Sequence, residues 1–211
     1  GDLKMIKVDT LEITGAQIIT GNLKTGKKNI ELKNIFIRLI DVAVDSAAGE
    51  DKTRLLFSKQ IFLSSEKIAW TSRNRLYTYS ADSISLNSVS RSVAVKKFAI
   101  DPALKEEAFV KSLPAQDDRF DFTINNIDIR SVNMQELFNE NIIADSILIG
   151  ACSFKIYRDL SIPRDKRNRV GSYPHQAFTN IPVTLQIKKV ILSNTFVGYK
   201  EKNPRSNQAG K

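Results

Sequence analysis

Phe120-Asp121-Phe122-Thr123-Ile124-Asn125-Asn126-Ile127-Asp128-Ile129-Arg130 decides how the rest of the chain is read. Phe120, Phe122 and Ile124 alternate with polar residues, as in a strand with one buried and one wet face. The step from Ile124 to Ile127 is then three residues, and alternation resumes at Ile129. An extra residue inside a strand flips the side-chain faces, so this slip predicts a β-bulge or a bend.

The same pattern extends in both directions. Towards the N-terminus it holds at Leu11/Ile13, Ile30/Leu32, Ile35/Ile37/Leu39, Ile84/Leu86, Val93/Val95 and Phe98/Ile100. Towards the C-terminus it holds at Ile147/Ile149/Ala151, Phe154/Ile156, Ile181/Val183/Leu185/Ile187 and Val190/Leu192. The three-residue slip recurs at Leu32–Ile35 and at Ile187–Val190. Gly21 to Lys28 and Ser72-Arg73-Asn74-Arg75 read as turns, and Pro163 to Pro174 as a long polar loop. One helix is predicted at Asp101–Leu113, with Asp101 as N-cap, Pro102 at the first helical position and Pro114 as the stop. A shorter helical turn fits 133–138. The predicted fold is mainly β: long twisted antiparallel sheets, bent at bulges into a groove or half-open sandwich, with one short helix near 101–113.

The chain has 211 residues, and Lys+Arg 32 against Asp+Glu 23 leaves a net charge of +9. That length suffices to bury roughly 70% of the unfolded surface. One Cys and one His exclude an internal disulfide and a Cys- or His-rich metal site, and leave His175 as the sole imidazole for any mechanism that needs one. No stretch approaches the roughly 20 apolar residues of a membrane helix, and no secretory leader opens the chain. Gly1 reads as the scar of a tag. With the polar C-terminus, it predicts a single β-rich fragment, 1–211, of a longer protein.

Weak internal repeats fall near 5–45, 54–102, 118–160 and 180–211. Leu11-Glu12-Ile13-Thr14-Gly15, Ile61-Phe62-Leu63-Ser64-Ser65, Ile127-Asp128-Ile129-Arg130-Ser131 and Val190-Ile191-Leu192-Ser193-Asn194 each place a short strand before a small or polar break. A sharper echo links Phe154-Lys155-Ile156-Tyr157-Arg158-Asp159 to Phe196-Val197-Gly198-Tyr199-Lys200-Glu201. The run Ile187 to Glu201, Tyr157-Arg158-Asp159 followed by Tyr173-Pro174-His175, and Asp118-Arg119-Phe120-Asp121-Phe122 leading to Met134-Gln135-Glu136-Leu137 resemble the AsmA-like proteins of Gram-negative bacteria. The likeness is to Bacteroidetes-type members in particular. Those proteins are similar to TamB-type and chorein-like bridge proteins, and the resemblance covers about Ile61 to Glu201. It implies a periplasmic β-groove carrying or shielding lipid on its way to the outer membrane, in a parent tethered to the inner membrane outside this fragment. It supplies no catalytic residues and no cofactor.

The residues themselves offer little catalytic chemistry. His175 has no partner acid that the sequence names, and Cys152 reads as an inert strand thiol. Glu106-Glu107 and Asp117-Asp118 are neighbours that point apart. No phosphate-binding glycine loop or nucleophile elbow is present. The basic loop Arg164, Lys166, Arg167 and Arg169 is the candidate contact for an anionic headgroup, with phospholipid or lipid A as the partner. If the sheet leaves a trough, inward positions Ile124, Ile127, Ile149, Ile187 and Leu192 are the candidates to face acyl chains, and each serves equally as core. Two other readings stand beside this one. The first is a closed structural or adhesion module that binds a protein or glycan. The second is a basic nucleic-acid binder, with Tyr77 and Tyr79 flanking Arg75; scattered cations and the lack of a groove-reading helix make it the weakest.

Overall fold

The computed structural model describes residues 5–22, 24–25, 27–164, 184–203 and 209–210. Their period-two pattern becomes strand nearly throughout. β1 (Ile6–Asn22) and β2 (Lys27–Val44) form a long hairpin, and α1 (Ser46–Glu50) follows. β3 (Gln60–Thr71), β4 (Tyr77–Asn87) and β5 (Ser92–Pro102) continue as a meander. α2 (Glu106–Lys111) leads to β6 (Arg119–Arg130), and α3 (Met134–Phe138) to β7 (Ile142–Ile149) and β8 (Cys152–Asp159). β9 (Leu185–Leu192), β10 (Thr195–Lys202) and the two-residue β11 (Ala209–Gly210) complete the order. Among the described residues these strands make one open 11-stranded sheet.

β6 is paired by two strands laid end to end. Its first half pairs with β8 and its second half with β7. β9 and β10 repeat this arrangement along β7 and β8, but in parallel. The expectation of purely antiparallel pairing therefore fails at this edge. Alternation fixes a residue's face and carries no information about strand direction.

The slips mark a feature larger than separate bulges. Asn34, Ser83 and Asn126 have φ of 48°, 50° and 56°, and Gly15 has φ 67°. The flanking pairs place Asn34 and Ser83 abreast of Glu66, and Ser83 and Asn126 abreast of Lys96. The row continues to Gly150, whose N–H donates to both Asn125 O (3.1 Å) and Asn126 O (3.0 Å). It ends at Asn194, φ 51°. Only β1–β2 shifts register near this row. From β2 to β6 every strand switches face at the same level, so pairing on both sides stays in step. The result is a transverse crease across the sheet. The slip at Ile187–Val190 belongs to a second row, where Asp9 lies abreast of Asp41 (φ 54°) at one flank. At the other flank Ser131 (φ 54°) lies abreast of Asp145 and Lys188.

The predicted helix at 101–113 is shorter and starts later. Asp101 and Pro102 are the last residues of β5, opposite Thr78 and Tyr77, and Ala103 N–H still bonds Leu76 O. Pairing with β4 outweighs the N-cap signal. α2 is entered from Lys105, whose side chain makes no cap bond. The helical turn expected at 133–138 appears as α3, with Asn133 Oδ1 accepting from Glu136 N–H.

The core is small and sits at the ends of the strands. Val132, Met134 and Ala144 are buried together, with Leu86, Val93, Ile129, Leu137 and Ile187 packed against them. At the opposite end Phe109 of α2 is 1% exposed and meets Tyr77 edge-on.

Candidate lipid-facing surface

Residues directly opposite in a register share a face. On one side of the crease the pairs Ile13–Ile37–Leu63–Leu86–Val93–Ile129–Ile147–Val190 run unbroken from β1 to β9. Every member is aliphatic. On the other side the row is Thr20–Ile30–Trp70–Tyr79–Ile100–Phe122–Phe154–Val197. The row next to it is Ile18–Leu32–Ile68–Ala81–Phe98–Ile124–Cys152–Thr195. The same face is thus aliphatic on one side of the crease, and on the other it carries an aromatic run, Trp70, Tyr79, Phe98, Phe122 and Phe154, among aliphatic residues. Trp70 stacks on Tyr79 at 5.2 Å between ring centroids. Phe98, Phe122 and Phe154 continue the contact edge-to-face, with centroids 6.4 Å and 5.2 Å apart. Such pairs add to area burial and stiffen this half.

The rows cross eight strands, so each spans about 34 Å at the usual strand spacing. That exceeds the roughly 30 Å of a bilayer's hydrocarbon core. Much of this surface is open. Ile13, Ile18, Ile30, Val190, Leu192 and Val197 are all among the exposed large apolar residues, and Trp70 is 37% exposed. The exposed stretches lie at the two ends of the rows, on β1–β3 and on β9–β10, and exposed apolar patches of this kind mark interaction sites.

Ile127, Ile149 and Leu192 stand side by side in one lateral row next to the crease. Ile124 lies across the crease from them, opposite Phe98 and Cys152. Ile187 packs on the Val132 cluster, as do Leu86, Val93 and Ile129 of the aliphatic row, so this stretch of the face also serves the core. Cys152 is buried and opens β8 in phase with Phe154, whereas Gly150 and Ala151 fall in the crease. The sequence pattern had extended the alternation through Ala151; the crease ends it at Ile149. The aromatic run is not legible in the sequence because Trp70, Tyr79, Phe98, Phe122 and Phe154 come from five strands and two lateral rows. Their types were visible, and their adjacency needed the register.

The Phe-to-Tyr echo proves to be a spatial one, shifted by a residue. β8 and β10 lie side by side, but Phe154 pairs with Val197 and Tyr157 with Lys200. Tyr199 consequently joins Ile156 on the apolar face, while Tyr157 lies on the polar side, 5% exposed. There Lys200 Nζ sits 5.4 Å above the Tyr157 ring and bridges Glu106 at 2.7 Å. A cleft of about 820 Å³ opens beside them, lined by Arg119, Asp121, Lys155, Phe196 and Gly198 among others. Burial pushes the Tyr157 hydroxyl above its ordinary pKa.

Glu106 and Asp118, one from each acid pair, serve as ion-pair partners. Asp118 takes two hydrogen bonds from Arg158, both 2.6 Å, which raises the guanidinium's already high pKa. Tyr77 is fastened at its hydroxyl, donating to Asp118 O and accepting from Phe120 N–H. Arg75 lies in the turn between β3 and β4. Of the basic loop, Arg164 is described and exposed; Lys166, Arg167 and Arg169, like His175, lie outside the described residues. No group of three or more His, Cys, Asp or Glu among the described residues could hold a metal ion. No described helix is long and apolar enough to cross a membrane. Comparison with protein-family models, curated proteins and solved structures gave no match.

Proposed function

We propose that this chain is a non-enzymatic segment of an AsmA-like periplasmic protein, whose creased apolar face lines a path for phospholipid or lipid A. The carrying observation is the set of unbroken lateral rows, apolar across almost every strand and exposed at their ends. A sheet that needed only a core would have this face covered. Acyl chains lie against the rows, and the exposed Arg164 offers a cation to an anionic headgroup. The parent is tethered to the inner membrane by a part outside this chain and supports outer-membrane homeostasis.

Trp70 is the only tryptophan and belongs to the aromatic row. Phospholipid brominated on its acyl chains should quench Trp70 emission, and native mass spectrometry of gently purified protein should show stoichiometric lipid. Protein that stays lipid-free after incubation with envelope lipids, with unquenched emission, would overturn the proposal. It would favour a structural module with a protein or glycan partner.

A further inference from the structure

Among the described residues the sheet ends in two long edges, and they match each other. β1 and the end-to-end pair β9–β10 run in the same direction across the sheet, and they have nearly equal lengths. β11 covers β10 only at Glu201 and Lys202. Edges of this length present unpaired N–H and C=O groups and usually carry a device that blocks pairing. β1 has no proline; its interruptions are the register shifts at 13–18, around Gly15, and at 20–21, and Ile6, Leu11, Ile13, Ile18 and Ile19 are exposed along it.

We propose that the β1 edge docks a second copy of this chain through that copy's β9–β10 edge, in parallel and head to tail. The two creases fix the register. Placing Gly15 beside Asn194 aligns the main crease, and Asp9 then falls beside Lys188, so the second crease aligns as well. Six residues separate the two positions on each edge. In this register Ile13 meets Leu192, Leu11 meets Val190 and Ile18 meets Val197, so the apolar rows continue from one copy into the next. Charge is complementary: Asp9 faces Lys188, which bridges Asp145 of its own chain at 2.7 Å, with Lys189 beside it. Cross-strand pairs of these kinds favour association, and like charges do not oppose one another in this stretch. The contact is heterologous, so addition continues beyond two copies. It is independent of whether lipid occupies the face.

Sedimentation of the unmodified chain from micromolar to sub-millimolar concentration should show mass rising past the dimer. In a Cys152→Ser background, Ile13→Cys protein mixed with Leu192→Cys protein should form the 13–192 disulfide on mild oxidation. Each variant alone should form far less of its own dimer. Far-UV circular dichroism checks that both variants keep their strands. A chain that remains monomeric over the whole range would overturn the proposal. So would a prominent 13–13 disulfide, which would mean isologous pairing of two β1 edges.

Discussion

Single residues hold the crease and its flanks. Gly150 has no room for a side chain: an added Cβ would lie 2.7 Å from Asn125 O and 3.2 Å from Asn126 Cβ. The obstacle is backbone, so Gly150→Ala must shift β6 or the β7–β8 junction. It should lose about 1–3 kcal/mol of stability in urea unfolding, the usual cost of overpacking. Asp159 is 4% exposed and accepts from Ser161 N–H, with Lys202 Nζ at 3.5 Å. Burial pushes its pKa up, but the Ser161 hydrogen bonds and the Lys202 charge outweigh burial and leave it below the ordinary value. A carboxyl lowered on folding stabilises fully above its unfolded pKa, about 3.9, and loses that contribution as pH falls through the folded value. Asp159→Asn should therefore cost about 1–3 kcal/mol at neutral pH. The gap from the parent should narrow below about pH 4, as unfolding measured across pH would show.

At the scale of the element, the creased strand is the unit that distinguishes this sheet from an ordinary meander. Asn126 sits at φ 56° inside β6. Asparagine tolerates the left-handed region, glycine adopts it freely, and β-branched residues resist it. Asn126→Gly should leave stability nearly unchanged, whereas Asn126→Val should lose about 1–2 kcal/mol. The comparison separates backbone conformation from loss of the amide side chain, since both variants remove it. Equal losses would mean that side-chain contacts, and not the left-handed turn, hold the crease. The sequence announced two points of this crease through the slips at Leu32–Ile35 and Ile124–Ile127. It did not announce Ser83, where Ala81 and Ile84 bracket the switch with little apolar contrast. Nor did it show that the kinks align, because alignment depends on register. The 101–113 segment shows the opposite failure. Its local capping signal was sound, but Asp101 and Pro102 had partners on β4 that the sequence could not display.

At the scale of the whole molecule, an open single sheet leaves the ends of its apolar face wet, and those ends are where function should be tested. Leu192 is 55% exposed at one end of the face, and Ile18 is 50% exposed at the other. The double substitution Leu192→Asp with Ile18→Asp should lower lipid retention several-fold. Because both sites are on the surface, each change should move stability by no more than about 0.5 kcal/mol. Lipid content per protein and the thermal midpoint together check this. A large fall in the midpoint would instead assign these residues to the fold.

By itself the sequence determined the secondary structure class and the face of most side chains. These follow from period-two patterning and residue inventory, which are local properties. Only the tertiary structure decided which strands are neighbours, that β7–β9 and β8–β10 run parallel, and that separate slips form one crease. It also set Ile127 beside Ile149 and Leu192, and packed Ile187, with Leu86, Val93 and Ile129, against the Val132 cluster. The physical reason is that lateral order in a sheet comes from backbone pairing between segments distant in sequence. An isolated strand pattern is equally compatible with many such pairings.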